Sequence, residues 1–254
     1  MFGTDPILLL TACAITLFAG TVKGAVGFAM PMIMISGLAS ILPADQALAA
    51  LIVPTLVTNL AQSFRQGGRV FWTTVAEYRR LLVSLCIVIV ISAQFVPYFP
   101  QAALLLTLGL PIVAFALSQL AGRQLRFPAE SRGKAEVIAG VVGGFFGGIS
   151  GVWGPPTIAL LLSLDADKRE SLRVQGVVYL IGAAILTVAH LASGVLNAQT
   201  LPLSVLLCIP GMIGLWIGFS IHDRLDQVRF RRWTLIVLVF SGLNLIRRAA
   251  MAWL

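Results

Sequence analysis

The sequence predicts an all-α polytopic membrane protein made of two inverted repeats of five apolar segments each. Three observations predict it. Of 254 residues, 58% are hydrophobic and 11% charged, with a mean hydropathy of +0.95; soluble domains run nearer 45–50% apolar and about 25% charged. Apolar segments follow one another along the whole chain. The spacing Gly-x-x-x-Gly-x-x-Gly occurs twice, in 20-GTVKGAVGFAMP-31 and in 147-GGISGVWGPPTI-158. A soluble fold of this size could not hide so much apolar surface, so lipid is the solvent for much of it.

In order, the hydropathic segments are 7–22, 28–42, 47–64, 81–97 and 102–121, then 135–150, 153–164, 171–192, 201–219 and 233–253. The first five make one repeat (1–122), a basic linker follows (123–134), and the last five make the second repeat (135–254). Most segments approach the roughly 20 residues that cross a 30 Å hydrocarbon core. Two do not: 28–42, and the run from Pro155 to Leu164, which rises only about 15 Å as a helix. The architecture is therefore eight spanning helices plus two short ones. Each short helix forms a hairpin with its predecessor, turning at one glycine phrase. Full crossing and re-entry are both open at this point.

Charge sets the orientation. Fifteen of the 18 basic residues fall in four loops: Arg65, Arg69, Arg79 and Arg80; Arg123, Arg126, Arg132 and Lys134; Lys168, Arg169 and Arg173; Arg224, Arg229, Arg231 and Arg232. Loops 43–46, 98–101 and 193–200 have none. The positive-inside rule makes the four basic loops cytoplasmic and the bare ones external. The loop after the third segment is then inside while its counterpart in the second half is outside. The halves are inverted, both termini are external, and the setting is a bacterial-type cytoplasmic (inner) membrane. The net charge of +8 is spent on topology and not on nucleic acid. Arg247 and Arg248, near the outer end of the last segment, either snorkel or pair inside the bundle.

The N-terminus lacks a basic region and carries Asp5, so it reads as a retained first segment and not a cleaved signal. Cys13, Cys86 and Cys208 lie in separate apolar segments without metal-ligand spacing. No P-loop, nucleotide fingerprint or metal cluster occurs, and no cofactor is expected.

Short, Gly/Pro-interrupted segments at corresponding places of inverted halves point to the binding site of a secondary transporter, at the midplane. A helix restarting at a break presents free N–H groups and a positive dipole end, which suit an anion. Glycine lets the backbone approach a ligand closely, and Pro155 and Pro156 suit a first helical turn. The candidate substrate-binding residues at the two tips are Lys23, Gly24, Gly27 and Phe28, and Ser150, Gly151, Trp153 and Gly154. Ser150 is read as the counterpart of Lys23. Asn59 and Gln175 join them from polar faces on the third segment (Thr55, Thr58, Asn59, Gln62) and the eighth (Arg173, Gln175, Tyr179). Lys23 has two readings: it meets an anion near the midplane, or it snorkels to the cytoplasmic interface. Arg173 reads as an interfacial topology charge.

On these residues the chain resembles the TauE/SafE sulfite exporters, grouped with toluene-sulfonate uptake permeases. That family carries the same glycine phrase near the start of each half, followed by an apolar stretch with a proline. The matches are Gly20, Gly24, Gly27 and Pro31, then Gly147, Gly151 and Gly154. The resemblance covers the whole chain. Phe28-Ala29-Met30 and Pro155-Pro156-Thr157 depart from the family's further glycines. It implies transport of small sulfur oxyanions or organosulfonates, with H+ or Na+ as the candidate coupling ion and the bilayer as surroundings. Two other readings stand beside it. Gly148-Ile149-Ser150-Gly151 with His190 fits a rhomboid-like intramembrane serine protease, and inverted repeats with broken helices also build anion channels.

Overall fold

The computed structural model describes residues 6–93, 101–122, 131–150, 153–192 and 194–251. Among these there are twelve helices and no strand. The first half of the chain supplies α1 (Pro6–Val26), α2 (Met30–Leu38), α3 (Ala44–Ser63), α4 (Gly68–Glu77), α5 (Arg79–Ala93) and α6 (Gln101–Leu120). The second supplies α7 (Arg132–Ser150), α8 (Gly154–Ser163), α9 (Lys168–Ala192), α10 (Leu201–Leu206), α11 (Cys208–Arg224) and α12 (Gln227–Met251). Every expected apolar segment meets a helix. Among the described residues four stretches are long and apolar enough to cross a membrane, α1, α9, the α10–α11 pair and α12, and α3 with α4 passes the same test as a pair bent by 93°. The molecule is a multi-pass integral membrane protein.

The hairpins form as the glycine spacing demands. α1, with 21 residues, rises about 30 Å, long enough for a full span. It ends at Gly27, whose φ of 94° only glycine adopts freely, and Ala29 follows at φ 76°. The chain reverses there and α2 runs back along α1, so that Gly37 stands against Ile15, a little over halfway down the first helix. Pro31 opens α2 where no N–H is needed. The second hairpin is built alike: Pro155 opens α8, and Trp153 and Pro156 lie against Gly147 and Gly143 of α7.

The chain folds as two compact units, and each draws on both sequence halves. The first comprises Met1–Gly68 and Gly176–Leu225. Here α1 packs along α11 so closely that a β-carbon on Gly20 would stand 2.4 Å from the Gly211 carbonyl oxygen and 3.1 Å from the Leu215 nitrogen. Gly24, Gly214 and Gly218 are equally tight. Small residues let membrane helices approach backbone to backbone, since hydrophobicity cannot drive them together in lipid. On its other side α11 shows Ile209, Ile213 and Trp216 outward. The interior of this unit is Ala12, Ala19, Met30, Met34, Leu38 and Ala50 with Leu203 and Leu207.

The second unit comprises Arg69–Gln175 and Asp226–Leu254. There α5 packs along α7, where a β-carbon on Gly144 would stand 2.7 Å from the Leu85 carbonyl oxygen and 3.2 Å from the Ile89 nitrogen. This is the same carbonyl-and-amide approach that Gly20 makes to α11. α6 packs on α12 through Gly109 and Gly242.

Two elements depart from the expected segments. The basic stretch after α3, read as a loop, contains α4. The ninth segment is cut at Leu207 into α10 and α11, because Pro210 has no N–H for the Leu206 carbonyl and its ring crowds that turn. Pro54, inside α3, orphans the Ala50 carbonyl in the same way. Ser204 of α10 repairs it: its hydroxyl donates to Ala50 O (3.2 Å) and accepts from Val53 N (3.1 Å).

Candidate functional site

The first glycine break is where charge enters the apolar interior. Lys23 lies on the last turn of α1, one residue from Gly24, which faces α11. It is 1% exposed. The snorkelling reading therefore gives way: the side chain turns into the protein, not out to an interface. Its Nζ donates to Asn59 Oδ1 on α3 and stands 5.8 Å from the centre of the Tyr179 ring on α9, within reach of a cation–π attraction. Asn59 is held by its other end, Nδ2 donating to Tyr179 O at 3.0 Å. The amide oxygen is thus the end left for the ammonium. Among the described residues no carboxylate pairs with Lys23.

The break itself is braced by neighbours. Gly27 N donates to Lys23 O at 2.6 Å, closing the last turn of α1. Gln62 Nε2 donates to Gly27 O at 3.1 Å, and His222 Nδ1 lies 3.2 Å from Ala25 O. Thr55, Asn59 and Gln62 recur at helical spacing and are all buried, with Thr55 Oγ1 lacking a hydrogen-bond partner among the described residues. Phe28 is buried in the turn. Gly24 has its face filled by the α11 backbone, 2.3 Å from where a β-carbon would meet Leu215 O, so close helix packing accounts for this glycine.

The second break carries no matching cation among its described residues. Gly151 lies outside the described residues, and Ser150 is described only as the last residue of α7. Trp153 precedes α8 and packs against Gly147, and Gly154 is the first residue of α8. Two helix starts share one offset: α2 starts at Met30 and α8 at Gly154, and α3 starts at Ala44 and α9 at Lys168. That offset pairs Gly20, Gly24, Gly27 and Pro31 with Gly144, Gly148, Gly151 and Pro155, and Lys23 with Gly147, a second register beside the expected one that pairs Lys23 with Ser150. Gly147 repeats the spacing as well, and on sequence alone the two registers look alike.

Gln175 is buried on α9, in the second unit, and its Oε1 has no hydrogen-bond partner among the described residues. Tyr179 and Gln62 were visible in sequence only as members of polar faces. His222 gave no signal beyond being one of two histidines. Gly211, Gly214 and Gly218 were missed in the sequence, where only their small-residue spacing marks them. Arg173 is an ion-paired end charge, 2.9 Å from Glu77. Arg247 pairs within its own helix end, with Asn244 Oδ1 at 3.0 Å.

Helices long enough to span mark an integral membrane protein, and its first hairpin holds a buried lysine that no carboxylate among the described residues pairs. The family model for the sulfite exporter TauE/SafE matches residues 12–245, nearly the whole chain. The protein belongs to that family, whose members are membrane transporters for sulfite and related anions and not enzymes. Neither the curated proteins nor the solved structures contain a match.

Proposed function

We propose that this protein is a secondary carrier of small anions, sulfur oxyanions or organosulfonates, that binds its substrate at Lys23. The observation that carries this is the ammonium itself. Burying a charge beside only a neutral amide costs several kcal/mol. An intramembrane lysine that the fold does not neutralise is a place for a substrate charge. Asn59 and Tyr179 orient the ammonium, while Gly27 and Phe28 form the turn beside it. Gly24 serves the same tip by bringing α1 onto α11. Gly151, Trp153, Gly154, Ser150 and Gln175 are proposed as further binding residues. The common helix boundaries of the two halves support the inverted repeat, as do the matching approaches of Gly20 to α11 and Gly144 to α5. We place the protein in a cytoplasmic membrane with both termini external, its cycle coupled to H+ or Na+.

The test is a thermal-shift screen of the purified protein against sulfite, methanesulfonate and acetate, followed by counterflow in liposomes. A sulfur anion should stabilise the parent and not Lys23→Gln, and labelled substrate should accumulate transiently against its gradient. Equal stabilisation by acetate would remove the sulfur preference. Flux without counterflow would make the protein a channel.

A further inference from the structure

We propose that α4 and the start of α5 form a binding site for the headgroup of an anionic phospholipid, whose acyl chain lies along α5. Three observations within the second compact unit meet here. The first is a polar cavity of about 400 Å³ at the junction of α4, α5 and α7, lined by Glu77, Arg79, Arg80, Arg132, Gly133 and Glu136. Its acidic groups are already engaged: Glu77 pairs with Arg132 at 3.0 Å and Arg173 at 2.9 Å, and Glu136 with Arg132 at 2.9 Å. Among the described residues Arg79 and Arg80 have no ion-pair partner. The Arg80 guanidinium is laid against Gly133, so that a β-carbon there would come within 2.0 Å of its Nη1. The cavity thus offers two uncommitted guanidiniums to an anion, and guanidinium is the side chain best matched to phosphate oxygens.

The second observation identifies which anion. Arg79 heads a stripe on α5 that continues through Val83, Ile87 and Val90, at spacings of four, four and three residues. These apolar side chains are 57%, 55% and 61% exposed, and residues so spaced share one helix face. A free phosphate has no use for such a stripe. A phospholipid, with an acidic head and an apolar tail, matches it from end to end.

The third observation sets the depth. α4 buries Thr74 and half-buries Val70, Phe71 and Val75, and it turns Trp72 outward at 67% exposure. A short amphipathic helix with an outward tryptophan and flanking arginines lies at the headgroup level of a membrane. Arg79 and Arg80, the first two residues of α5, close a basic stretch that begins at Arg65, the kind that faces the anionic cytoplasmic leaflet.

The experiment is a lipid titration followed by native mass spectrometry of the detergent-purified full chain. It uses phosphatidylglycerol, phosphatidylcholine and inorganic phosphate as probes. The parent should bind one phosphatidylglycerol saturably, and phosphatidylcholine at least tenfold more weakly. Arg79→Gln with Arg80→Gln should weaken phosphatidylglycerol binding by roughly tenfold or more, while the double lysine variant, which keeps the charge and loses the forked donors, should fall between that variant and the parent. Arg229→Gln, in another basic loop, should leave it unchanged. Equal binding of the two lipids would overturn the proposal. So would an equal loss in Arg229→Gln, which would mean diffuse surface charge and no site. Displacement of the lipid by millimolar phosphate would assign the arginines to a soluble anion instead.

Discussion

At the scale of single residues, the break at Gly27 holds a charge and a conformation that polar side chains must support. Lys23 keeps its ammonium in the interior through one amide oxygen, and that amide is itself fixed by a backbone carbonyl. A charge-assisted contact to a bound anion contributes about 1.5–3 kcal/mol. Lys23→Gln should therefore weaken substrate binding roughly 10- to 100-fold, read by calorimetry on monodisperse protein. Unchanged affinity would remove Lys23 from the site. The glycines of the same phrase divide into two kinds. Gly27→Ala places a side chain at φ 94°, a cost of about 1–2 kcal/mol. Gly24→Ala drives a methyl into backbone atoms of α11 at 2.3 and 2.8 Å, where neither helix can yield without moving. It should lower the melting temperature clearly more than Gly27→Ala does; the reverse order would contradict the packing of α1 on α11. Lysine amid glycines was legible in the sequence because a charge in an apolar segment needs a reason. Its burial was not, because snorkelling and burial differ only in side-chain direction. The pairing of Lys23 with Ser150 has a rival for a related reason: Gly147 repeats the spacing three residues away from Gly144, so the sequence carries two registers.

Among the elements, spans were legible because each holds an 18-residue apolar window. α4 was not, since its apolar residues occupy one face and arginines flank it, which keeps any hydropathy window low. Its signal is the spacing of Val70, Phe71, Thr74, Val75 and Tyr78. Tyr78, fully buried, donates to Glu170 Oε1 at 2.6 Å; burial and that carboxylate push its hydroxyl well above the ordinary tyrosine range. It stays a neutral donor at any working pH. Prolines mark the other feature that hydropathy cannot see, because a proline inside a span reads as merely less apolar. At Pro54 the structure supplies Ser204 to the orphaned Ala50 carbonyl. Ser204→Ala should cost about 1–3 kcal/mol by leaving a buried acceptor unpaired. In a Pro54→Ala background the restored N–H takes over that acceptor, so the serine should matter little. A double-mutant cycle on thermal or denaturant unfolding measures the difference. Additive losses would show that the hydroxyl does not act through the kink.

For the whole molecule, the two halves read from sequence and the two compact units of the fold divide the chain differently. Periodicity reports segments and their order, whereas packing exchanges partners: α1 goes to α11 and α5 to α7, each pairing a helix of one half with one of the other. Exchange of this kind is invisible to hydropathy, though small-residue spacing on both partners hints at it. Orientation rests on charge, and ion pairs give that reading further support. Glu77 beside α5 pairs with Arg132 of α7 and Arg173 of α9, while Asp165 pairs with Arg231 of α12 at 2.9 Å. All four basic loops are thereby joined to one another, as they must be if they share one face of the membrane. The bare turn between α9 and α10 should lie on the other. Asn197 is a poor place to label it, because its side chain accepts from the Gln199 and Thr200 amides and shapes the turn; Ala198, exposed beside it, is better. In a background with Cys13, Cys86 and Cys208 replaced by serine or alanine, Gln66→Cys and Ala198→Cys are compared. An impermeant maleimide added outside intact cells should label Ala198→Cys at once and Gln66→Cys only after the membrane is opened. The proposed topology puts an odd number of crossings between the two positions: α5, α6 and α9 would traverse, while α7 and α8 would return to the side they left. Labelling of both from outside would make the number even. The halves would then not be inverted, and the shared register at their breaks would be a packing device common to two helical hairpins.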